Sequence, residues 1–120
     1  MSKEVVLNNL NSILVEGNLK DDADVKIVDQ HIEARFTIIS RRYYREIPNE
    51  EQSEEELDEK ADDVKLEKNY VPVLAEGKSA EYCDKRGKKG KGVRVVGRLQ
   101  YPENGVAILV AEHVEFRPEF

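Results

Sequence analysis

The sequence predicts an all-β protein: a five-stranded Greek-key barrel, with one short helix between the third and fourth strands and a long acidic loop between the second and third. Three observations carry this reading. Apolar residues alternate with polar ones over short runs, turn-forming clusters separate those runs, and helical spacing is weak everywhere. A chain of 120 residues suits one domain with a modest core, so 1–120 is read as a single unit.

The first strand is Ser12 to Leu19, in which Gly17 marks a bulge or a close approach of another backbone. Val25 to Val28 continues it, and Asp29, Gln30 and His31 form a polar turn. In the second strand, Ile32 to Tyr44, Phe36, Ile38 and Ser40 face one side and Arg35, Thr37 and Ile39 the other. The acidic segment, residues 49–66, lacks strand alternation. Leu57, Ala61 and Val64 are spaced for a helix, with Ser53 and Glu56 as a capping box, but so few apolar residues favour a mobile, solvated loop. Alternation resumes in the third strand at Asn69 and Tyr70, where Val71, Val73 and Ala75 share a face and Pro72 points to an edge or bulge. Ser79 to Gly87 is the short helix, and "KGVRVVGRL" and "GVAILVAEHVEF" are the last two strands, joined through the tight turn "YPENG". Five strands with this helix placement describe a barrel of the OB type.

The net charge of −6 is unevenly spread. Asn49 to Asp63 holds nine acids opposed only by Lys60, a local charge of −8, which leaves +2 on the rest of the chain. Lys85, Arg86, Lys88, Lys89, Lys91, Arg94 and Arg98 form a basic cluster with no acid among them. The single cysteine, Cys83, excludes an internal disulfide and fits a reducing compartment; it reads as a helix core residue. Two histidines and one thiol do not make a zinc site of the usual spacing. No paired carboxylates, phosphate loop or triad order stands out, so a binding protein without cofactor or metal is expected, not an enzyme.

"NSILVEGNLKDDAD", "ARFTIISRRYY", "GKSAEYCDKRGKKGKGVRVVGRLQ" and "LVAEHVEF", in this order, resemble bacterial single-stranded DNA-binding proteins. The resemblance implies an OB-fold that stacks the bases of single-stranded DNA on aromatics, usually as a homotetramer, in the cytoplasm on the nucleoid, supporting replication, recombination and repair. It implies stacking roles for Tyr44, at the end of the second strand, and Tyr70, opening the third, and a basic role for Lys78. There are departures: Glu76 replaces a frequent aromatic, Pro72 interrupts the third strand, and the hairpin after Leu99 is short, leaving Tyr101 as its aromatic. The family's Gly/Pro/Gln-rich linker and acidic tail have no counterpart in these residues.

The knot "RRYYR" fits this role, because tyrosine faces can stack on bases while guanidinium groups meet phosphates. The expected DNA-binding residues are therefore Arg42, Tyr43, Tyr44, Arg45, Tyr70, Lys78, Arg94, Arg98 and Tyr101. Arg94 and Arg98 have a parity opposite to Val93, Val95 and Leu99, which turns them away from the core. The acidic loop, flanked by Tyr44 and Tyr70, is expected to restrain non-specific attraction to DNA. A homo-oligomer, tetramer or dimer, is expected through the first strand with Ile13 and Val15, and replication or repair proteins are possible partners. The rival reading is an OB-type protein-interaction module with a degraded DNA face, docking basic partners through the acidic loop.

Overall fold

The computed structural model describes residues 6–46 and 63–117. Its elements are β1 (Ile13–Leu19), β2 (Asp24–Val28), β3 (His31–Arg45), β4 (Val64–Glu76), α1 (Lys78–Arg86), β5 (Gly92–Gln100) and β6 (Ile108–Arg117). The strands lie in the order β1-β5-β6-β4-β3-β2, and a further β1–β3 pairing closes the sheet into a barrel. β1 and β2 are two halves of one barrel strand, because both pair with β3, at Leu19↔Ile38 and Asp24↔Arg35. Five barrel strands therefore appear as six segments. All pairings are antiparallel except β4–β6.

Closure depends on Gly17. It pairs with Val93 of β5 one residue before β1 meets β3 at Asn18↔Ile39, and a Cβ would overlap the Ile39 carbonyl oxygen and the Ile38 side chain. The β2–β3 hairpin turns on two residues, Asp29 (φ 48°) and Gln30 (φ 67°), between the paired Val28 and His31. Two successive positive φ values give the twist that a tight antiparallel hairpin requires. Ahead of β1, the Asn11 side chain acts as one more ladder rung: its Nδ2 donates to the Leu99 carbonyl (2.7 Å) and its Oδ1 accepts from the Leu99 N–H (2.8 Å).

Strand alternation fills the barrel from every side. Leu19, Phe36, Ile38, Val73, Val93, Val95, Leu109 and Val114 are buried, and α1 covers the core with Ala80 and Cys83. The tyrosine of α1, Tyr82, packs on Phe116 with ring centroids 5.3 Å apart, and the Arg86 guanidinium lies 4.4 Å from the Tyr82 centroid. Burial pushes the Cys83 thiol up to about 11. The unfolded chain therefore loses this proton first as pH rises. The thiol's contribution to stability is full below pH 9 and disappears as pH climbs to about 11. Denaturant titrations across that window should show wild type losing up to about 2–3 kcal/mol more than Cys83→Ala. Parallel curves for the two proteins would contradict this account.

Several boundaries differ from the sequence reading. β4 begins at Val64, not at Asn69, so Val64, Lys65 and Leu66 are strand and not loop. Their partners Arg45, Tyr44 and Tyr43 lie across the ladder and supply the order that local alternation did not show. The proposed capping box and residues 49–62 of the acidic segment lie outside the described residues. Pro72 pairs with Thr37 on one side, and β6 joins β4 only from Val73 onward, so the proline sits on a locally open edge. A register shift between Val96 and Gly97 disturbs the β5–β6 ladder. Leu99, placed on the core side by its parity, is 42% exposed beyond it. The last strand starts at Ile108, which leaves Val106 exposed in the connection.

Candidate nucleic-acid interface

β1 leaves β3 after Asn18↔Ile39, and β6 touches β4 only at Val73 and Leu74. The far ends of β3 and β4 therefore project as a two-stranded ribbon, paired from Ser40↔Asn69 to Arg45↔Val64. Directly opposed residues share a face of an antiparallel pair. One face carries Ile39 with Tyr70, Arg41 with Lys68, and Tyr43 with Leu66; the other carries Arg42 with Glu67 and Tyr44 with Lys65. The two tyrosines singled out by motif position, Tyr44 and Tyr70, thus lie on opposite faces, and it is Tyr43 that shares the face of Tyr70.

The Tyr43–Tyr70 face has the properties of a stacking platform. Tyr43 is 67% and Tyr70 54% exposed. Lys20 reaches over Tyr70, its Nζ 5.4 Å from the ring centroid. Arg41 Nη1 donates to Asn18 Oδ1 (3.0 Å), and Asn18 Nδ2 donates to the Gly90 carbonyl (3.0 Å). This chain of bonds ties the ribbon to β1 and to the turn after α1. A second anchor holds that turn, where the Lys89 N–H donates to Asp22 Oδ1 (2.8 Å). An open groove along this face is lined by Asn18, Lys20, Ile39, Arg41, Tyr43 and Lys89, among others. Aromatic faces beside cations of both kinds are what base stacking with phosphate neutralisation requires.

The reverse face is more self-contained. Arg42 Nη1 donates to Glu67 Oε2 (3.1 Å), and its guanidinium stands 5.1 Å from the Tyr44 centroid. The Glu67 carboxyl is held below its ordinary value by a hydrogen bond from Asn69 and then by the bond from Arg42. Tyr44 is half-buried.

Other expected residues are dispersed. Arg94 pairs with Glu16 (3.1 Å) and Arg98 with Glu112 (4.0 Å), so each meets a carboxylate before it meets a phosphate. Lys78 opens α1 and lines a different groove, with Ile32, Glu81 and Tyr82. Tyr101 is exposed in the β5–β6 connection, and Arg45 ends the ribbon, exposed, opposite Val64. Among the described residues no cluster of three or more His, Cys, Asp or Glu is placed to hold a metal ion.

The model of the single-strand binding protein family matches residues 10–107. The chain belongs to this family. Among solved structures it is similar to one described as Plasmodium falciparum SSB complex with ssDNA, with a TM-score of 0.72 and 16% identity over 94% of this chain and 99% of that one. That likeness supports the OB barrel. Comparison with curated protein sequences gives no match.

Beside the expected residues, this face also carries Ile39, Lys68 and Arg41, the first arginine of the RRYYR knot, and Lys20 reaches it from the end of β1. The signal for Tyr43 was present in the sequence: it has the parity of Ile39, opposite to Phe36 and Ile38, just as Tyr70 opposes Val71 and Val73. The signal for Lys20 was absent, since nothing local says that the end of β1 arrives beside Tyr70.

Proposed function

We infer that the protein binds single-stranded DNA of any sequence, stacking bases on Tyr43 and Tyr70 while Lys20, Arg41, Lys68 and Lys89 offset phosphate charge. The observation that carries this is the pair of exposed tyrosines on one cation-lined face, in a chain of the single-strand binding protein family. The family fits roles in DNA replication, recombination and repair. Binding is non-covalent, so no catalytic residue is assigned. The interaction-module reading is less favoured, because the chain matches the single-strand binding protein family and carries two exposed tyrosines on one face. Among the described residues no helix is long and apolar enough to cross a membrane.

Fluorescence anisotropy of labelled oligo-dT at two salt concentrations tests this reading. Saturable binding that weakens with salt is expected, because neutralised phosphates release counterions. No binding at low salt would overturn it.

Self-association belongs to the same proposal. β1 is paired with β5 from Ile13 to Asn18 but with β3 only at Asn18 and Leu19, so its edge from Ile13 to Val15 is open. Leu14, within it, is 60% exposed, and Leu7 and Leu10 in the segment ahead of β1 are 84% and 94% exposed. An open edge next to apolar side chains favours strand pairing with a second copy. At least a dimer is expected by sedimentation equilibrium at micromolar protein, and a monomer throughout would remove this part.

A further inference from the structure

We propose that the cleft between β1 and the ribbon reads the edge of one base, and that Glu16 makes it favour bases with an exocyclic amino group over thymine. This rests on the single-stranded DNA reading and names a preference within that site. The cleft opens where β1 parts from β3 after Asn18↔Ile39. It is lined by Glu16, Gly17, Asn18, Ile39, Arg41 and Tyr43, with a volume of about 320 Å³, at the lower end of the range that ligand clefts span, about 300–1,000 Å³. Gly17 contributes no side chain and Ile39 only a half-buried one, so the floor is apolar and shallow. Tyr43 stands beside it as an exposed ring on which a neighbouring base can stack.

The polar groups of the cleft are committed unequally. Asn18 uses its amide oxygen on Arg41 and its amide nitrogen on Gly90. Arg41 spends one N–H on Asn18, and a guanidinium has five. Glu16 accepts from Arg94 Nη2 on Oε1 (3.1 Å), which fixes the carboxylate and offsets its charge. Its other oxygen has no partner among the described residues, and the side chain is 42% exposed. The cleft therefore presents a fixed acceptor at Glu16 and spare donors at Arg41. Cytosine matches this pair with its 4-amino donor and its N3 and O2 acceptors, and a carboxylate accepting from the cytosine amino group is a good pairing. Thymine sets its O4 carbonyl against the carboxylate, where two acceptors repel and no hydrogen bond forms.

The test compares oligo-dT with an oligonucleotide of 5-methyl-deoxycytidine, which keeps the thymine shape and changes only the groups at positions 3 and 4. In anisotropy titrations of the full chain, the 5-methylcytosine strand should bind about five- to tenfold more tightly. The ratio should persist as salt rises, because the two strands carry the same phosphates. In Glu16→Gln, whose amide offers both a donor and an acceptor, the ratio should fall to within about twofold. The same change frees Arg94, which should tighten both strands by a common factor and leave the ratio untouched. Equal affinities in the wild type, a preference for oligo-dT, or a ratio that survives Glu16→Gln would overturn the proposal while leaving single-stranded DNA binding standing. If neither strand binds, the broader reading fails and this one with it.

Discussion

Tyr43→Ala and Tyr70→Ala are each expected to weaken oligo-dT binding by about 1–3 kcal/mol, a loss of roughly five- to 150-fold in affinity. Both rings are exposed on the same ribbon face, so a strand crossing that face meets both. The loss should be nearly independent of salt, since stacking releases no counterions. Arg41→Ala should behave differently, flattening the salt dependence by roughly 0.7 in slope for one lost phosphate contact with a single strand. Tyr44→Ala should cost less than either tyrosine on the opposite face, because Arg42 and Glu67 already occupy its surroundings. Thermal stability should hardly change in the Tyr43 and Tyr70 variants, as exposed side chains contribute little to it. A Tyr44→Ala variant that loses most of its affinity, with Tyr43→Ala unaffected, would move the DNA path to the reverse face.

Gly17→Val should destabilise the barrel by about 3 kcal/mol or more, lowering Tm by roughly 10 °C or more. The added side chain would collide with the β3 backbone at Ile39 and with the buried Ile38, and a backbone cannot step aside as a flexible side chain can. Separation of β1 from β3 would also open the barrel at its closing seam. Glu16→Gln is the control, one residue away with a half-exposed side chain, and should melt within a few degrees of wild type. If Gly17→Val melts with it, close approach at residue 17 is not what holds β1 in place.

Much of this molecule follows from local pattern. Alternation in β3 assigns Phe36 and Ile38 inward, and it does so because a pleated strand turns successive side chains to opposite faces. The same alternation places Tyr43 outward with Ile39. Motif position points to Tyr44, which parity sets on the opposite face. Gly17 announces a close approach, since a strand gains nothing else from losing a side chain, and Pro72 announces a stretch of β4 free on one flank. The short helix before the fourth barrel strand is equally local, with Ala80 and Cys83 on its buried side. The start of β4 was not legible, because Val64 to Lys68 alternates too weakly and takes its order from thirteen paired positions on β3.

Which surface charges pair was decided by the tertiary structure. Arg94 and Arg98 stand free in sequence, yet strand order sets Glu16 and Glu112 beside them. The reach of Lys20 to Tyr70 and the bonds from Arg41 through Asn18 to Gly90 join positions far apart in the chain. Such contacts depend on which strands become neighbours and in what register, and those choices are made by burying the whole core at once. Alternation settles which way each side chain faces; only closure of the barrel settles what it faces.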